Sequence, residues 1–539
     1  MTSTSYSRSY LNDKKLNKIE QNKALKDGLD IGKEINKFAE IGWENIDKVD
    51  RELRLKWYGL FWRPKTPGKF MLRLRVPNGI LNTKQIQAIA SIVNRYGDDG
   101  SCDITTRQNI QVRGILISDF PDILKRLKEC NLYTTQSGFD NPRNVTGNAL
   151  AGIDPHEIID TRKYTNILNN FLTDGNQGNK EFSNLPRKWN TAVAGSKDNF
   201  LLHNDIVFHP IKREGLLGFG VWIGGILSSQ MNEYAIPLNA WIHEKDICKI
   251  TSIIISIWRD QGERDKRPKG RFRFFLNQIG IENFRKMVED RYGELLADPG
   301  SEFNIKPRSI FGIHSQKQEN LNYAGLHIPV GKLSGEDLLD IATISSTYGN
   351  SEIRLTEDQN LIISGIKNEK IKEFKTNILL NKFSLNPTPL TSGTVACTGN
   401  TYCSFALTNT KDQAHKIAKE LDSEIVLPNE VKIHWTGCPN SCGQAYMGAI
   451  GLTGTKSKNK NGKMVEAYDI SVGGKQGPYK KLGKLIHKGI PTEELKPFLK
   501  KLLIEDFSAK PKIFKSSKGK IFSKLFFNLR DFLKGSYET

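Results

Sequence analysis

The sequence predicts an α/β (α+β) fold built as an internal pseudo-twofold repeat, and three observations carry that prediction. A stretch starting at Leu74 recurs at Leu326; each copy alternates strand and helix periodicity; and the longer segment after each copy repeats a turn motif and a glycine motif. The 539 residues also exceed what one hydrophobic core holds, so several domains are expected.

The first copy reads LRVPNGILNTKQIQAIASIVNRYGDDGSCDITTRQNIQVRG and the second LHIPVGKLSGEDLLDIATISSTYGNSEIRLTEDQNLIISG. Pro77, Gly79, Ile89, Ala90, Tyr96 and Gly97 stand 252 residues before Pro329, Gly331, Ile341, Ala342, Tyr348 and Gly349. After a one-residue deletion, Thr105, Gln108, Asn109 and Gly114 stand 251 before Thr356, Gln359, Asn360 and Gly365. Each copy reads strand, helix, strand. In the first, Asn82 and Gln85 form a capping box, Ile86, Ile89, Ile92 and Val93 make one apolar face, and Gly97 is expected as a left-handed stop. In the second, Ser334 and Asp337 open the helix and Gly349 closes it. The segments TTRQNIQVRGI and LTEDQNLIISGI that follow have the pattern of strands.

The repeat continues into the longer segments. VTGN at 145–148 stands 252 residues before CTGN at 397–400, and GVWIGG at 220–225 is similar to ISVGG at 470–474. The chain therefore divides into a polar arm (1–60), small α/β units (61–135 and 316–390), larger α/β units (136–315 and 391–507) and a basic amphipathic tail (508–539). Residues 1–40 are lysine-rich and expected to wrap the other half. The tail segment IFSKLFFNLRDFL at 521–533 has helical amphipathic spacing, expected to dock on the protein's own core in preference to a membrane surface.

Lysine and arginine total 79 against 59 acidic residues, a net charge of +20. Such a surface attracts nucleic acid, acidic proteins, anionic membranes or anionic substrates without choosing among them. No nucleic-acid-binding module is recognisable, and part of the charge is the solvated surface of a lysine-, asparagine- and isoleucine-rich chain. The apolar run LLGFGVWIGGIL at 216–227 is too short to span a bilayer, and the chain begins MTSTSYSRSYLNDKK without an apolar signal region. A cytoplasmic protein with no integral membrane association is expected. Seven cysteines, an odd number, argue for metal or redox chemistry over a disulfide framework.

Four of those cysteines fall in ACTGNTYC at 396–403 and GCPNSCG at 437–443, spaced Cys397-x5-Cys403 and Cys438-x3-Cys442. Val145 occupies the first-half position matching Cys397, so duplication alone does not account for the thiols. Four thiolates in two pairs hold either zinc or an iron–sulfur cluster; the five-residue gap counts against zinc without excluding it. Gly399, Gly437 and Gly443 permit close backbone approach.

ACTGNTYC followed by HWTGCPNSCG, on a duplicated chain, resembles the siroheme-dependent sulfite and nitrite reductase family over roughly residues 45–505. The resemblance implies ferredoxin-like small units and larger units that bind siroheme and a [4Fe-4S] cluster. It implies that Cys397, Cys403, Cys438 and Cys442 hold the cluster and that Cys442 bridges it to the siroheme iron. Members of the family place two arginines and a lysine at the open face of the macrocycle. Matched motif by motif, FMLRLRVPNG offers Arg73, DNPRNVTGN offers Arg143, and LPRKWN offers Lys188 and Asn190. Arg73 and Arg75, two residues apart on one strand, are expected to point the same way, one toward substrate and one into a salt-bridge network. Arg107, Gln111, Arg187 and Arg271 are the expected contacts to siroheme carboxylates.

Asn190 chooses the substrate. Sulfite reductases of the family carry a second lysine there, and nitrite reductases resemble this chain in having asparagine. Nitrite is a monoanion and sulfite largely a dianion, so one fewer cation suits nitrite. No G-x-G-x-x-G motif opens a helix after a strand, so an external electron donor is expected. The resemblance implies reduced ferredoxin, an acidic protein, with Lys456, Lys458, Lys460 and Lys463 as candidate docking charges. The expectation is thus a monomeric ferredoxin–nitrite reductase converting nitrite to ammonia at siroheme coupled to [4Fe-4S]. The alternatives are a ferredoxin–sulfite reductase and a cofactor-free basic binding protein with a structural zinc.

Overall fold

The computed structural model describes residues 16–300, 308–477 and 479–512. Its two small sheets are interlocked. The first runs, in spatial order, Leu60–Trp62, Lys69–Arg73, Ile110–Leu116, Ser101–Ile104 and Lys332–Ser334; the second runs Gly312–Ser315, Leu321–Leu326, Leu361–Lys367, Glu352–Leu355 and Ile80–Asn82. Each copy of the repeat thus lends its short strand to the edge of the other copy's sheet. Cys102 pairs with Leu333, and Ile353 with Leu81. The helices Thr83–Tyr96 and Gly335–Tyr348 pack together, and one core joins Ile86, Ile89 and Val93 to Leu338, Ile341 and Ile363. Segments that read as two separate small units share one interior.

Both helices open on capping boxes. Gln85 N donates to Asn82 Oδ1 at 2.9 Å while Asn82 N donates to Gln85 Oε1 at 3.1 Å, and Ser334 with Asp337 repeats the arrangement at 3.0 and 2.8 Å. Replacing Asn82 by alanine is expected to cost ~1 kcal/mol, read as a lower urea midpoint at unchanged slope. Gly97 departs from its expected role. Its φ is −73°, so it is no left-handed stop; a Cβ there would lie 2.5 Å from Val93 O, and glycine is needed for space. The repeat extends to backbone handedness: Asn78 and Val330 are left-handed at φ 57° and 47°, Gln108 and Gln359 at 49° and 63°. A β-branched residue such as Val330 adopts that conformation only when its surroundings impose it.

The two larger sheets have one topology. Ile236–His243, Leu216–Ile223, Ile206–Arg213, Thr191–Val193 and Thr146–Gly147 correspond strand for strand to Lys484–Pro491, Met464–Val472, Ile450–Lys458, Ile433–Thr436 and Thr394–Ala396. In each, the last three strands are parallel and the others antiparallel. VTGN and CTGN therefore sit at equivalent edge strands, and the two glycine motifs end equivalent strands.

The described part of the arm lies on the first half and not on the other. Lys23 meets Asp140 at 2.6 Å, Glu20 meets Arg264 at 2.7 Å, and Trp57 Nε1 donates to Ser183 Oγ at 2.8 Å. These buried polar partners fix where the arm goes, and polar composition gave no sign of them. The segment 521–533 lies outside the described residues. Among the described residues no helix is long and apolar enough to cross a membrane.

Candidate functional site

Thr394–Ala396 and Ile433–Thr436 run parallel and adjacent, so the loops that follow them leave the same end of the sheet. That topology brings Cys397, Cys403, Cys438 and Cys442, distant in sequence as two pairs, onto the wall of one cavity. Gly437 N donates to Cys397 Sγ at 3.1 Å, and Thr410 Oγ1 lies 3.8 Å from it. A Cβ at Gly443 would fall 2.0 Å from Trp435 O, so the second loop closes only with glycine. Burial pushes the Cys397 thiol up and the Cys438 thiol up to about 12, opposed in each case by backbone amides. Thiols so placed become thiolates by binding metal. Among the described residues no three of His, Cys, Asp or Glu converge on a single-ion site. Four thiols that feel one another's charge from around a shared space suit a cluster several atoms across better than one zinc ion.

The cavity measures about 710 Å³ and is lined by eight arginines and three lysines against two aspartates, Asp103 and Asp140. A space so charged, even with Arg113, Arg267 and Arg271 each paired to an aspartate, favours an anionic occupant. Arg187 Nε, Arg271 Nε, Asn190 Oδ1 and Asn144 Oδ1 are buried on its wall without hydrogen-bond partners. Unpaired donors on two arginines, beside four thiols, fit a large carboxylate-bearing macrocycle set against an iron–sulfur cluster.

All the site residues expected from the sequence line this cavity. Arg73 ends the strand Lys69–Arg73, its guanidinium 4.5 Å from the Phe61 ring centroid, and burial lowers it to about 10. Arg143 is held by the carbonyls of Ser137 and Phe139, its Nη2 donating to Phe139 O at 2.8 Å. Burial, then Arg73 and Arg107, hold Arg143 well below the usual arginine range. Lys188 is lowered in the same way by burial, Arg271, Arg107 and Arg143, against the Cys442 thiol, which raises it. Asn190 is 2% exposed; its backbone N–H donates to Asp205 Oδ2 at 2.9 Å, leaving the side-chain oxygen free. Arg271 Nη2 donates to the same carboxylate at 3.0 and 3.1 Å, and Arg107 Nη1 to Asn204 Oδ1 at 2.8 Å. Burial lowers Arg187 to about 10.

Arg75 does not share Arg73's direction. It is buried behind the cavity, donating to Asn169 Oδ1, Gln136 O, Pro142 O and Arg143 O at 2.7 to 3.1 Å. The strand ends at Arg73, so the two-residue alternation does not carry over; Arg75 braces the loop that presents Arg143 through carbonyls, and among the described residues no salt bridge to it is seen.

Three contributors escaped the sequence reading. Arg113 Nη2 donates to Asp103 Oδ2 at 2.6 Å, to Gln111 Oε1 at 3.1 Å and to Thr398 Oγ1 at 2.5 Å, joining the first small sheet to the first cysteine loop. Its spacing from Gln111 on one strand was a usable signal. Thr106 Oγ1 donates to Cys442 O at 3.1 Å. Asp205, which organises Asn190 and Arg271, sits in an unremarkable HND sequence that gave none. Lys456 and Lys458 lie exposed on the hairpin Ile450–Lys458 to Met464–Val472, and Lys460 pairs with Glu494 at 3.4 Å. The hairpin reaches the cysteine loop through Glu466, which accepts from Asn400 Nδ2 and Asn409 N.

Two family models match the chain. The nitrite and sulphite reductase 4Fe-4S domain matches residues 138–296 and 390–504, and the nitrite/sulfite reductase ferredoxin-like half domain matches 63–130 and 314–379. The chain is 48% identical over 92% of its length to a protein of Synechococcus elongatus named ferredoxin–nitrite reductase, covering 97% of that protein. It is 41% identical over 88% of its length to the chloroplastic ferredoxin–nitrite reductase of Arabidopsis thaliana, covering 82% of it. Its fold is similar to that of the Mycobacterium tuberculosis NirA protein, with a TM-score of 0.85, 26% identity and coverage of 94% and 96% of the two chains.

Proposed function

Because the chain belongs to the nitrite and sulphite reductase family, we propose from its cavity that it is a ferredoxin–nitrite reductase, an oxidoreductase that takes nitrite to ammonia. One observation carries the reading: the four thiols and the cationic residues Arg73, Arg143 and Lys188 line a single cavity. Siroheme and a [4Fe-4S] cluster, when bound there, would supply electron storage and an iron centre at which the anion is reduced. Cys397, Cys403, Cys438 and Cys442 would hold the cluster, with Cys442 shared, and Arg107, Gln111, Arg187 and Arg271 the macrocycle's carboxylates.

The chain's own residues then do three things. Arg73 and Arg143, each pinned by carbonyl oxygens or an aromatic ring, offer fixed positive charge to an anion without having to reorganise. Lys188, for which no hydrogen-bond or ion-pair partner is seen among the described residues, holds a transferable proton at Nζ, and each oxygen lost from nitrite needs protons to leave as water. Asn190 contributes a neutral oxygen and amide where a further charge would favour a dianion.

Asn190→Lys is therefore expected to raise the ratio of sulfite to nitrite kcat/KM by roughly tenfold or more, since a charge-assisted hydrogen bond is worth ~1.5 to 3 kcal/mol. An unchanged ratio removes the substrate argument. Reduced ferredoxin is the proposed donor, steered by the exposed lysines of the 450–472 hairpin; a steep loss of kcat/KM with added salt is the expected signature. The setting is read as cytoplasmic and the working unit as a monomer. Assaying purified protein with reduced ferredoxin against both anions tests the whole reading: higher kcat/KM for sulfite would overturn it.

A further inference from the structure

One charged group on the chamber wall has no use in the scheme above. Lys56 lies on the turn Arg54–Tyr58 of the arm and lines the chamber beside Phe139, with its ammonium 5.2 Å from the Phe139 ring centroid. No hydrogen bond or ion pair to that ammonium is seen among the described residues. The carboxylates near it are already engaged or distant: Asp140 receives Arg267 at 2.7 and 2.9 Å and Lys23 at 2.6 Å, Asp50 on the preceding turn is held by Arg54 at 2.5 Å, and Glu52 stays outside ion-pair distance. Arg63 and Arg267 add positive charge.

Phe139 ties this lysine to the reaction site. It is a bulky residue at φ 53°, a conformation that persists only where its surroundings impose it. Its carbonyl accepts Arg143 Nε at 3.2 Å and Nη2 at 2.8 Å, while its ring carries Lys56 and, 4.6 Å from the centroid, Arg267. One strained residue thus holds the proposed substrate arginine with its backbone and the arm's lysine with its ring. An ammonium on a chamber wall without a counterion is a site for a small anion.

We infer that Lys56 is an anion-binding residue of the chamber, a staging position that holds nitrite before it is reduced and takes up a proton as the anion arrives. The inference rests on reading the chain as a nitrite reductase. Its step is a protonation and no more: a neutral amine, a proton from solvent and nitrite become an ammonium–nitrite pair, with no change of oxidation state. Burial and then Arg63 and Arg267 lower Lys56 to about 7, opposed by Glu52 and Asp140, so near neutral pH the free lysine is partly uncharged. An anion beside it favours the charged form. Nitrite therefore binds most tightly below the free lysine's value and loses affinity as pH rises through it; the protein's own groups set that value at about 7, and carboxylates bound in the chamber would move it upward.

The test is nitrite titration of the cofactor-loaded protein, following its visible bands, at about pH 6 and about pH 9, roughly one unit below and two units above the value of about 7. Lys56→Met is expected to raise the Kd for nitrite roughly tenfold or more at the lower pH and to leave it near wild type at the higher. Lys56→Arg, charged throughout, is expected to keep the low-pH affinity at both. Wild type should also take up protons from a weakly buffered indicator solution when nitrite is added near neutrality, and Lys56→Met fewer. A Kd for Lys56→Met equal to wild type at the lower pH overturns the inference, as does an equal penalty at both, the mark of a merely structural ring contact. If Lys56→Met fails to load cofactor, Lys56→Arg decides alone: a pH dependence as steep as wild type sinks the idea. A wild type that turns over no nitrite fails the functional reading itself, whereas an active wild type with silent Lys56 variants fails this inference only.

Discussion

Cys442→Ser is expected to abolish nitrite reduction, by ~10³-fold or more, which corresponds to about 4 kcal/mol of barrier. The reason lies in where the thiol stands. Cys438 is buried whereas Cys442 is exposed to the cavity, and Thr106, on the turn between the strands Ser101–Ile104 and Ile110–Leu116, donates to the carbonyl of Cys442 at 3.1 Å. Cys442 is thus the proposed cluster ligand that faces the arginine-lined space, at the junction of the two cofactor sites. A serine hydroxyl there is a harder and far more weakly acidic ligand than a thiol, so the link between the two centres is lost even where the fold survives. The measurement is threefold: ferredoxin-linked activity, iron content and the visible spectrum. Cys130→Ser, outside the cavity, serves as the control and should leave all three unchanged. A Cys442→Ser protein with full activity and a normal spectrum would remove Cys442 from its assigned role.

The cysteines were legible because each pair lies within one loop, and the repeat because its helices carry strong local signals. Capping boxes at Asn82 and Ser334 are contained in four consecutive residues, and they are present as read. What the sequence hid is non-local. Ile80–Asn82 has the same pattern whether it pairs with its own sheet or the other copy's, so the exchange of edge strands left no trace. Gly97 was misread because a glycine at a helix end signals either handedness or a close approach, and only the position of Val93 O decides. Arg75 was misdirected because alternation holds only while the strand lasts. Asp205 and Lys56 belong to the site through contacts that cross domain and arm boundaries, where no spacing rule applies. The cations at Arg73, Arg143 and Lys188 were found by motif resemblance, and the cavity supplies what the motif lacked, namely the carbonyls, rings and carboxylates that hold each in place.

Lys188→Gln is expected to lower kcat for nitrite by ~10² to 10⁴-fold, the range for loss of a positioned proton donor. The prediction separates charge from proton transfer. Arg73 and Arg143 remain cationic across the working pH range and cannot give up a proton at useful rates, whereas a buried lysine can. Burial, Arg271, Arg107 and Arg143 push Lys188 well below the usual lysine range, and only the Cys442 thiol pulls it back. Lowering the ammonium's pKa makes it a stronger acid, which helps an oxygen of nitrite leave as water, and bound carboxylates and nitrite would move it part of the way back up. The sign of the pH effect follows. Below its lowered pKa the group carries the proton the reaction needs; above it the amine is neutral and the activity falls. An alkaline limb is therefore expected in the wild-type kcat profile at a pH below that of a free lysine, and it should be absent from Lys188→Gln. Lys188→Arg discriminates between the two roles, since it keeps the charge and loses the transferable proton. Its KM for nitrite should stay near wild type while kcat remains low, and a kcat restored to wild type by arginine would show that Lys188 acts by charge alone.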